Sequence, residues 1–230
     1  MADKKHIVVL TGAGVSAESG IKTFRDSDGL WETHRIEDVA TPEGWAANPK
    51  LVLDFYNQRR AQVKDVFPNA AHTGLAGLEK HYDVTIVTQN IDDLHERGGS
   101  TKVVHLHGEI LKMRSEWDED MVYPINGDIE LGDTAEDGAQ LRPFIVWFGE
   151  AVPMIEIAAS IMRDADIFVC IGTSLQVYPA AGLIDYVPSF ATKYIIDKNI
   201  PPVTGYRNII TIEKPATEGV AELIKRLIPE

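Results

Sequence analysis

Six short apolar runs divide this chain, and they limit its fold more than any other feature. They cover residues 6–11, 84–88, 103–106, 167–171, 193–196 and 208–212. Each has the length of a strand, is rich in β-branched residues, and most read nearly continuously rather than alternating. A strand covered on both faces reads this way, whereas a half-exposed strand alternates apolar and polar positions. Helical patterns lie between them. Residues 49–67 place Leu51, Phe55, Val63 and Val66 at helical spacing, and 69–81, 153–163 and 218–228 read likewise. Strands alternating with helices predict an α/β fold with a parallel, doubly wound sheet.

Two segments interrupt the alternation. The first, about 26–67, reads as a mainly helical insertion. The second, about 110–142, carries nine carboxylates between Glu116 and Asp137 and no Lys or Arg between Ser115 and Leu141. It reads as a poorly packed excursion or a small subdomain, not a core element. The expected organisation is one domain over 1–230: a larger part from 1–26, 68–109 and 144–230, and a smaller subdomain from 27–67 and 110–143.

The 230 residues suffice for one large domain, and 44% hydrophobic with 25% charged residues is ordinary globular composition. Lys and Arg number 22 against 35 Asp and Glu, a net charge of −13. That disfavours non-specific nucleic-acid binding and favours a basic partner such as a lysine-bearing segment. A single cysteine, Cys170, leaves no internal disulfide and no multi-cysteine zinc site, and suits a cytoplasmic setting. The first apolar run is too short for a signal peptide, and no stretch approaches the roughly 18 apolar residues of a membrane span, so no membrane partner is expected.

The first run leads directly into Gly12-Ala13-Gly14-Val15-Ser16-Ala17, a fit to the G-x-G-x-x-G/A pattern. Strand, glycine turn and following helix form a dinucleotide cradle, in which backbone N–H groups and a helix N-terminus meet a pyrophosphate. A tight turn without a ligand is the alternative. A hydride-carrier fold adds a second strand ending in Asp or Glu about 20 residues later. Here residues 24–38, FRDSDGLWETHRIED, are polar and turn-rich, so something else takes that strand's place.

Polar groups collect just past other strands, where parallel sheets bind ligands. Gln89, Asn90, Asp92 and Asp93 follow the second run, and at least one is expected to cap the next helix. His105 and His107 share one face of the third run. A metal pair is one reading; a packed, hydrogen-bonded His105 beside an accessible base, His107, is the other. Gly172-Thr173-Ser174 follow the fourth run and offer small residues and hydroxyls to phosphate oxygens.

Five blocks resemble the sirtuin family of NAD-consuming protein lysine deacylases: GAGVSAESGIKTFR, TQNIDDLH, HLHGE, VWFGEAVP and GTSLQVYPAAGL, in family order over residues 12–183. The resemblance implies a Rossmann-like fold with a smaller subdomain, and NAD as co-substrate. It implies that Gly12, Ala13, Gly14 and Ser16 line the NAD pocket with Glu18 nearby, and that Phe24 and Arg25 cover and support the reacting ribose. Gln89 and Asn90 would contact that ribose and a water. Ile91 and Asp92 would grip the carboxamide, with Asn90, Asp92 and His107 catalytic and His107 the base. Gly172, Thr173 and Ser174 would hold phosphate and ribose, and Asn199 and Ala216 the adenosine end. Val146, Trp147, Phe148 and Gly149 would pair with an acyl-lysine peptide as an added strand. The implied products are free lysine, nicotinamide and O-acyl-ADP-ribose, from an enzyme expected to be a monomer.

Tyr56 and Arg59 stand three apart on one helical face, where the family's succinyl- and malonyl-removing subgroup carries Tyr-x-x-Arg. An arginine fork accepts a carboxylate bidentately, and a tyrosine adds a hydroxyl donor. A surface arginine beside a packed tyrosine is the bland alternative. Most sirtuins also carry two Cys-x-x-Cys pairs for structural zinc. Residues 112–143 contain no cysteine, with Ser115 near the first ligand position, so no zinc and no other metal is expected. Trp117, Met121, Tyr123, Ile125, Ile129 and Leu131 are the expected apolar contacts there. Protein ADP-ribosyl transfer and a non-catalytic NAD sensor are the competing readings.

Overall fold

The computed structural model describes residues 4–22, 30–31, 34–125 and 127–229. Its main sheet is built from β1 (His6–Thr11), β4 (Asp83–Thr88), β5 (Val103–His105), β9 (Ile167–Ile171), β10 (Thr192–Asp197) and β11 (Ile209–Glu213). A two-residue pair, β2 (Leu30–Trp31) and β3 (His34–Arg35), lies apart from it. A second sheet contains β6 (Gly108–Ser115), β7 (Val122–Pro124) and β8 (Leu141–Ile145). The α-helices are α1 (Ile36–Val39), α2 (Pro42–Ala47), α3 (Pro49–Asp65), α4 (Ala70–Leu78), α5 (Leu94–Arg97), α6 (Ile155–Arg163) and α7 (Ala216–Leu227).

The main sheet runs β11-β10-β9-β1-β4-β5, every pairing parallel. All six apolar runs are strands of this sheet. β1 shows why they read as continuous. Ile7 and Val9 pack with Leu75 and Leu78 of α4 and Val220 and Leu223 of α7. Val8 and Leu10 point the other way, to Ala158 and Met162 of α6. Successive side chains of a strand face opposite sides, so a sheet with helices on both faces needs apolar residues at every position. Each fully buried aliphatic side chain of this kind contributes about 1.5–3 kcal/mol.

The helical insertion starts its helices by one repeated device. Thr41 and Asn48 each precede a proline, and each side chain accepts from a backbone N–H of the first turn, Gly44 N at 3.0 Å and Leu51 N at 3.1 Å. A polar cap followed by proline at the first helical position satisfies donors that a helix start leaves open. α4 carries a full capping box, in which Asn69 Oδ1 accepts from Ala71 N and His72 Nδ1 accepts from Asn69 N.

The acidic segment is a packed antiparallel sheet, not a loose excursion. Ile110, Ile125, Ile129 and Leu141 share one core with Val52, Leu53, Phe55, Tyr56 and Val63 of α3. Of the contacts expected from sequence, Ile125 and Ile129 are buried and Tyr123 packs partly, while Trp117 is 73% and Leu131 52% exposed. Buried polar groups supply what those two do not. Asn57 of α3 donates to Ile129 O and accepts from Ile129 N, both at 3.0 Å, as a strand would. Arg60 donates to Ile110 O at 2.9 Å and to Asn57 Oδ1 at 2.7 Å. Burial lowers the Arg60 pKa to about 10, leaving it a cation at neutral pH.

Truncating Asn57 takes one acceptor from a buried arginine and the partners from two backbone groups at once. Asn57→Ala is expected to reduce stability by about 3 kcal/mol in equilibrium urea unfolding.

Candidate active site

The order of the main sheet creates a crevice. From β1 the chain moves outward to β4 and β5, then returns to β9 on the other side of β1. Loops leaving β1 and β9 therefore diverge at the carboxyl edge, the place where such sheets bind ligands. A cavity of about 850 Å³ opens there, between the main sheet and the insertions.

The two loops interlock through glycines. Gly12 N donates to Ile171 O at 3.0 Å, and Gly14 N to Gly172 O at 2.9 Å. A Cβ on Gly14 would lie 2.6 Å from Gly172 Cα, and one on Gly172 2.5 Å from Val15 N. Gly172 also has φ +63°, a conformation side chains resist. Among the described residues, no α-helix directly follows the glycine turn. Two short 3₁₀ turns, Ala13–Val15 and Ala17–Ser19, stand in its place. The glycines are explained by loop-to-loop contact, and the expected helix dipole is absent.

A buried polar network forms the cavity floor. Ser16 Oγ donates to Asp92 Oδ2 at 3.1 Å and accepts from Asn90 Nδ2 at 3.1 Å. Asp92 Oδ1 accepts from Leu94 N at 3.2 Å, which is the helix-capping role expected of this stretch. Below Ser16, His72 Nδ1 already accepts from Asn69, so the neutral ring carries its proton on Nε2, 3.4 Å from Ser16 Oγ. Burial lowers the His72 pKa to about 4 and that of its ring neighbour His95 to about 3, so both stay neutral. Burial pushes the Asp92 carboxyl upward, while the bonds from Leu94 and Ser16 oppose it.

Two histidines close the floor against β4. His107 Nδ1 faces Gln89 O at 2.9 Å, and His105 Nδ1 faces Asn90 O at 3.0 Å. A carbonyl only accepts, so each Nδ1 carries a proton. β5 ends at His105, and His107 lies in the turn beyond. His107 borders the cavity, its basic nitrogen being Nε2. Burial lowers its pKa against the pull of the Gln89 bond, so the ring is neutral at neutral pH.

The insertion side of the cavity presents Tyr56 and Arg59. Both are buried, so the arginine is not a surface residue. Tyr56 accepts from Trp147 Nε1 at 3.1 Å, and burial pushes its phenol far above the usual range. Trp147 is stacked under the Arg142 guanidinium, whose carbon is 3.3 Å from the ring centroid. Arg142 also grips Glu150 with both terminal nitrogens, at 2.8 and 3.2 Å. The wall Val146, Trp147, Phe148 and Gly149 lines the cavity, with the N–H groups of its first three residues bonded to His107 O, Glu150 and Ala40 O.

The remaining residues expected from sequence divide clearly. Gly12, Ala13, Gln89, Ile91, Thr173 and Ser174 border the cavity, as do Asn199 and Ala216 at its far end. Gln89 Nε2 donates to Thr173 Oγ1 at 3.1 Å, joining the β4 and β9 loops. Glu18 does not line the cavity. Its carboxylate accepts from Thr217 N and Oγ1, at 3.0 and 2.7 Å, and pins the first turn of α7. Phe24 and Arg25 lie outside the described residues. Asp197 was missed. It ends β10, accepts from Asn199 N at 3.0 Å and borders the cavity. An acidic residue closing an apolar strand was the available signal.

The model of the Sir2 family matches residues 12–179. The chain belongs to the Sir2 family. It is 54% identical over 224 residues to an NAD-dependent protein deacylase of Helicobacter pylori (strain ATCC 700392 / 26695), covering 97% of this chain and 98% of that protein. It is 54% identical over 231 residues to one of Bacteroides thetaiotaomicron, covering 98% and 99%. Among solved structures, a Sir2 homolog–NAD complex superposes with a TM-score of 0.87 at 36% identity, covering 98% of this chain and 90% of that one. A substituted Sir2 homologue with ADP-ribose gives 0.89 at the same 36% identity, covering 98% and 93%.

The glycine interlock leads to a sharp expectation for this Sir2 fold. Gly172→Ala adds a methyl group where no space and no relaxed backbone exist. It is expected to lower Tm by several degrees in thermal unfolding followed by circular dichroism.

Proposed function

We propose that the chain is an NAD-dependent protein lysine deacylase, active on acetyl-lysine and, through Tyr56 and Arg59, on succinyl- and malonyl-lysine. The observation that carries this reading is the convergence of Ser16, Asn90, Asp92 and His107 on one cavity. The donor set fits NAD. The interlocked glycine loops and the hydroxyls of Thr173 and Ser174 suit a pyrophosphate, and Asp197 and Asn199 suit the hydroxyls of the distal ribose. Bound NAD would supply an activated ribose carbon, able to release nicotinamide and to bond instead to the acyl oxygen of the substrate.

The protein's part is orientation and proton transfer. Asn90 and Asp92, fixed through Ser16, hold the nicotinamide end. His107 Nε2 is a neutral, exposed-side base that takes the proton of a ribose hydroxyl, and Gln89 O keeps the ring in that tautomer. The peptide lies along 146–149. Because the N–H groups of Val146, Trp147 and Phe148 are engaged, carbonyl groups and Gly149 carry its pairing. The relatives' shared name favours deacylation over protein ADP-ribosyl transfer.

The small subdomain is read as folding without zinc. Ser115 Oγ donates to Asp137 Oδ2 at 2.6 Å and accepts from Trp117 N and Asp118 N at 3.0 and 3.2 Å. Asp137 Oδ1 accepts from Ala139 N at 2.9 Å. One hydroxyl and one carboxylate thus tie two turns together in the segment where most sirtuins place their metal. The division into a larger part and a subdomain of 27–67 and 110–143 is proposed on the same grounds.

Two experiments test the reading. With NAD and an acyl-lysine peptide, mass spectrometry is expected to show nicotinamide, free lysine and O-acyl-ADP-ribose. His107→Ala should lower that rate by about 10²–10⁴-fold while NAD binding persists. Modified protein in place of O-acyl-ADP-ribose, or a wild-type rate in the mutant, would overturn it.

Arg59→Met is expected to lower kcat/KM for succinyl-lysine by about 10–100-fold and leave acetyl-lysine nearly unchanged, since a charge-assisted contact contributes about 1.5–3 kcal/mol. An unchanged succinyl-to-acetyl ratio removes the carboxylate pocket.

A further inference from the structure

His105 is not part of the cavity wall, yet it is tied to the residue on which the wall depends. It ends β5 opposite Thr88 of β4, with a side chain only 9% exposed. Its Nδ1 lies 3.0 Å from Asn90 O, and its Nε2 2.8 Å from Glu96 Oε1 on α5. Both partners only accept. The imidazolium has two N–H groups and satisfies both; the neutral ring has one, which the carboxylate holds as the stronger acceptor, and Asn90 O then loses its donor.

Asn90 is held at three points. Its N–H donates to Thr88 Oγ1 at 3.0 Å, its side-chain amide donates to Ser16, and its carbonyl receives His105. The next carbonyl back along the chain, Gln89 O, receives His107. Two histidines two residues apart therefore dock on consecutive carbonyls and hold the β4 loop at a fixed distance from the base. Without the His105 bond, the Asn90 carbonyl loses the donor that orients the peptide plane leading to Asp92, and the segment is held only from beyond it, by Ile110 N on Ile91 O at 2.8 Å and by Ser16 and Leu94 on Asp92.

We infer that His105 is a positioning residue: its imidazolium bridges the Asn90 carbonyl and the Glu96 carboxylate and so keeps Asn90 and Asp92 in register with His107. This rests on the reading of Asn90, Asp92 and His107 as the catalytic set. The charged groups around His105 agree. Glu96 on α5 and Glu109 on β6 favour its cation, and the cation in turn favours ionised Asp92. Lys112 is bonded to Glu109 at 2.7 Å, and His95 on α5 is neutral. Burial works against the His105 charge, but the bond and charge of Glu96 with the Asn90 bond outweigh it, and its pKa lies above the ordinary histidine value.

The sign follows. A raised histidine pKa means the bridge is complete below the ordinary value and is lost as pH climbs through the raised one. His107 must be neutral and its pKa is lowered, so it sets the acid limb of activity. His105 sets the alkaline limb.

The test is the pH profile of kcat/KM for nicotinamide release with NAD and acetyl-lysine peptide, on wild type, Glu96→Gln, His105→Asn and His105→Ala. Glu96→Gln alters a partly exposed side chain, and its alkaline limb should move about one unit lower with the acid limb unmoved. His105→Asn keeps an amide donor for the Asn90 carbonyl at every pH, so its alkaline limb should flatten. His105→Ala should lose about tenfold or more in kcat at neutral pH with little change in peptide KM. Superimposable profiles for wild type and Glu96→Gln, or full activity in His105→Ala, would overturn the inference. A wild type that releases no nicotinamide would instead overturn the deacylase reading.

Discussion

The fold depends on two loops approaching more closely than side chains permit. Gly12 and Gly14 after β1 meet Gly172 after β9 with backbone in contact with backbone. That contact closes the crevice left by the divergence of the chain on the two sides of β1. It also sets where Ser16 stands, because the turn from Gly14 to Ser16 is anchored at Gly172 O. From Ser16 the geometry propagates outward. Asn90 and Asp92 are bonded to its hydroxyl, and Gln89 is bonded to Thr173 of the opposite loop. Little of the floor could shift while the glycines stayed in place.

The sheet was the most legible part of the chain, for a physical reason. Burial on both faces forces apolar residues at every strand position, so 6–11 or 167–171 stands out without any partner being known. The acidic segment was less legible because what fastens it is polar. Asn57 and Arg60 sit within a helical pattern where polar residues ordinarily face water. Their partners, Ile129 and Ile110, lie 72 and 50 residues away in the chain. Only the tertiary pairing distinguishes such residues from solvated ones. Trp117 and Leu131 misled in the opposite sense, being apolar but exposed.

In the site, polar residues at strand ends were reliable guides, since side chains there project into the crevice. Gln89, Asn90, Asp92, Thr173 and Ser174 all reach the cavity. Asp197 satisfies the same rule at β10. The dinucleotide pattern puts its acidic residue after the second strand in sequence, whereas in this chain the acidic strand end lies beyond the switch point, on β10. Glu18 was misplaced for another reason. Nearness in sequence to a glycine turn does not fix direction, and two 3₁₀ turns in place of a helix carry its carboxylate to Thr217.

The charges beneath the cavity form a consistent set. Asp92 is buried, and burial favours its protonated form. An adjacent cation would keep it ionised but would also occupy its oxygens. The structure separates these roles. Ser16 Oγ and Leu94 N donate to the carboxylate as neutral groups, while His72 and His95 beneath are kept uncharged by burial. On the inference drawn above, the positive charge lies aside from the carboxylate, on His105, whose bonds go to Asn90 O and Glu96. Field without contact keeps Asp92 an acceptor at the cavity floor. In the proposed deacylase, a carboxylate held in this way accepts from the carboxamide of the cationic nicotinamide ring, and the charge attraction ends once nicotinamide departs as a neutral molecule.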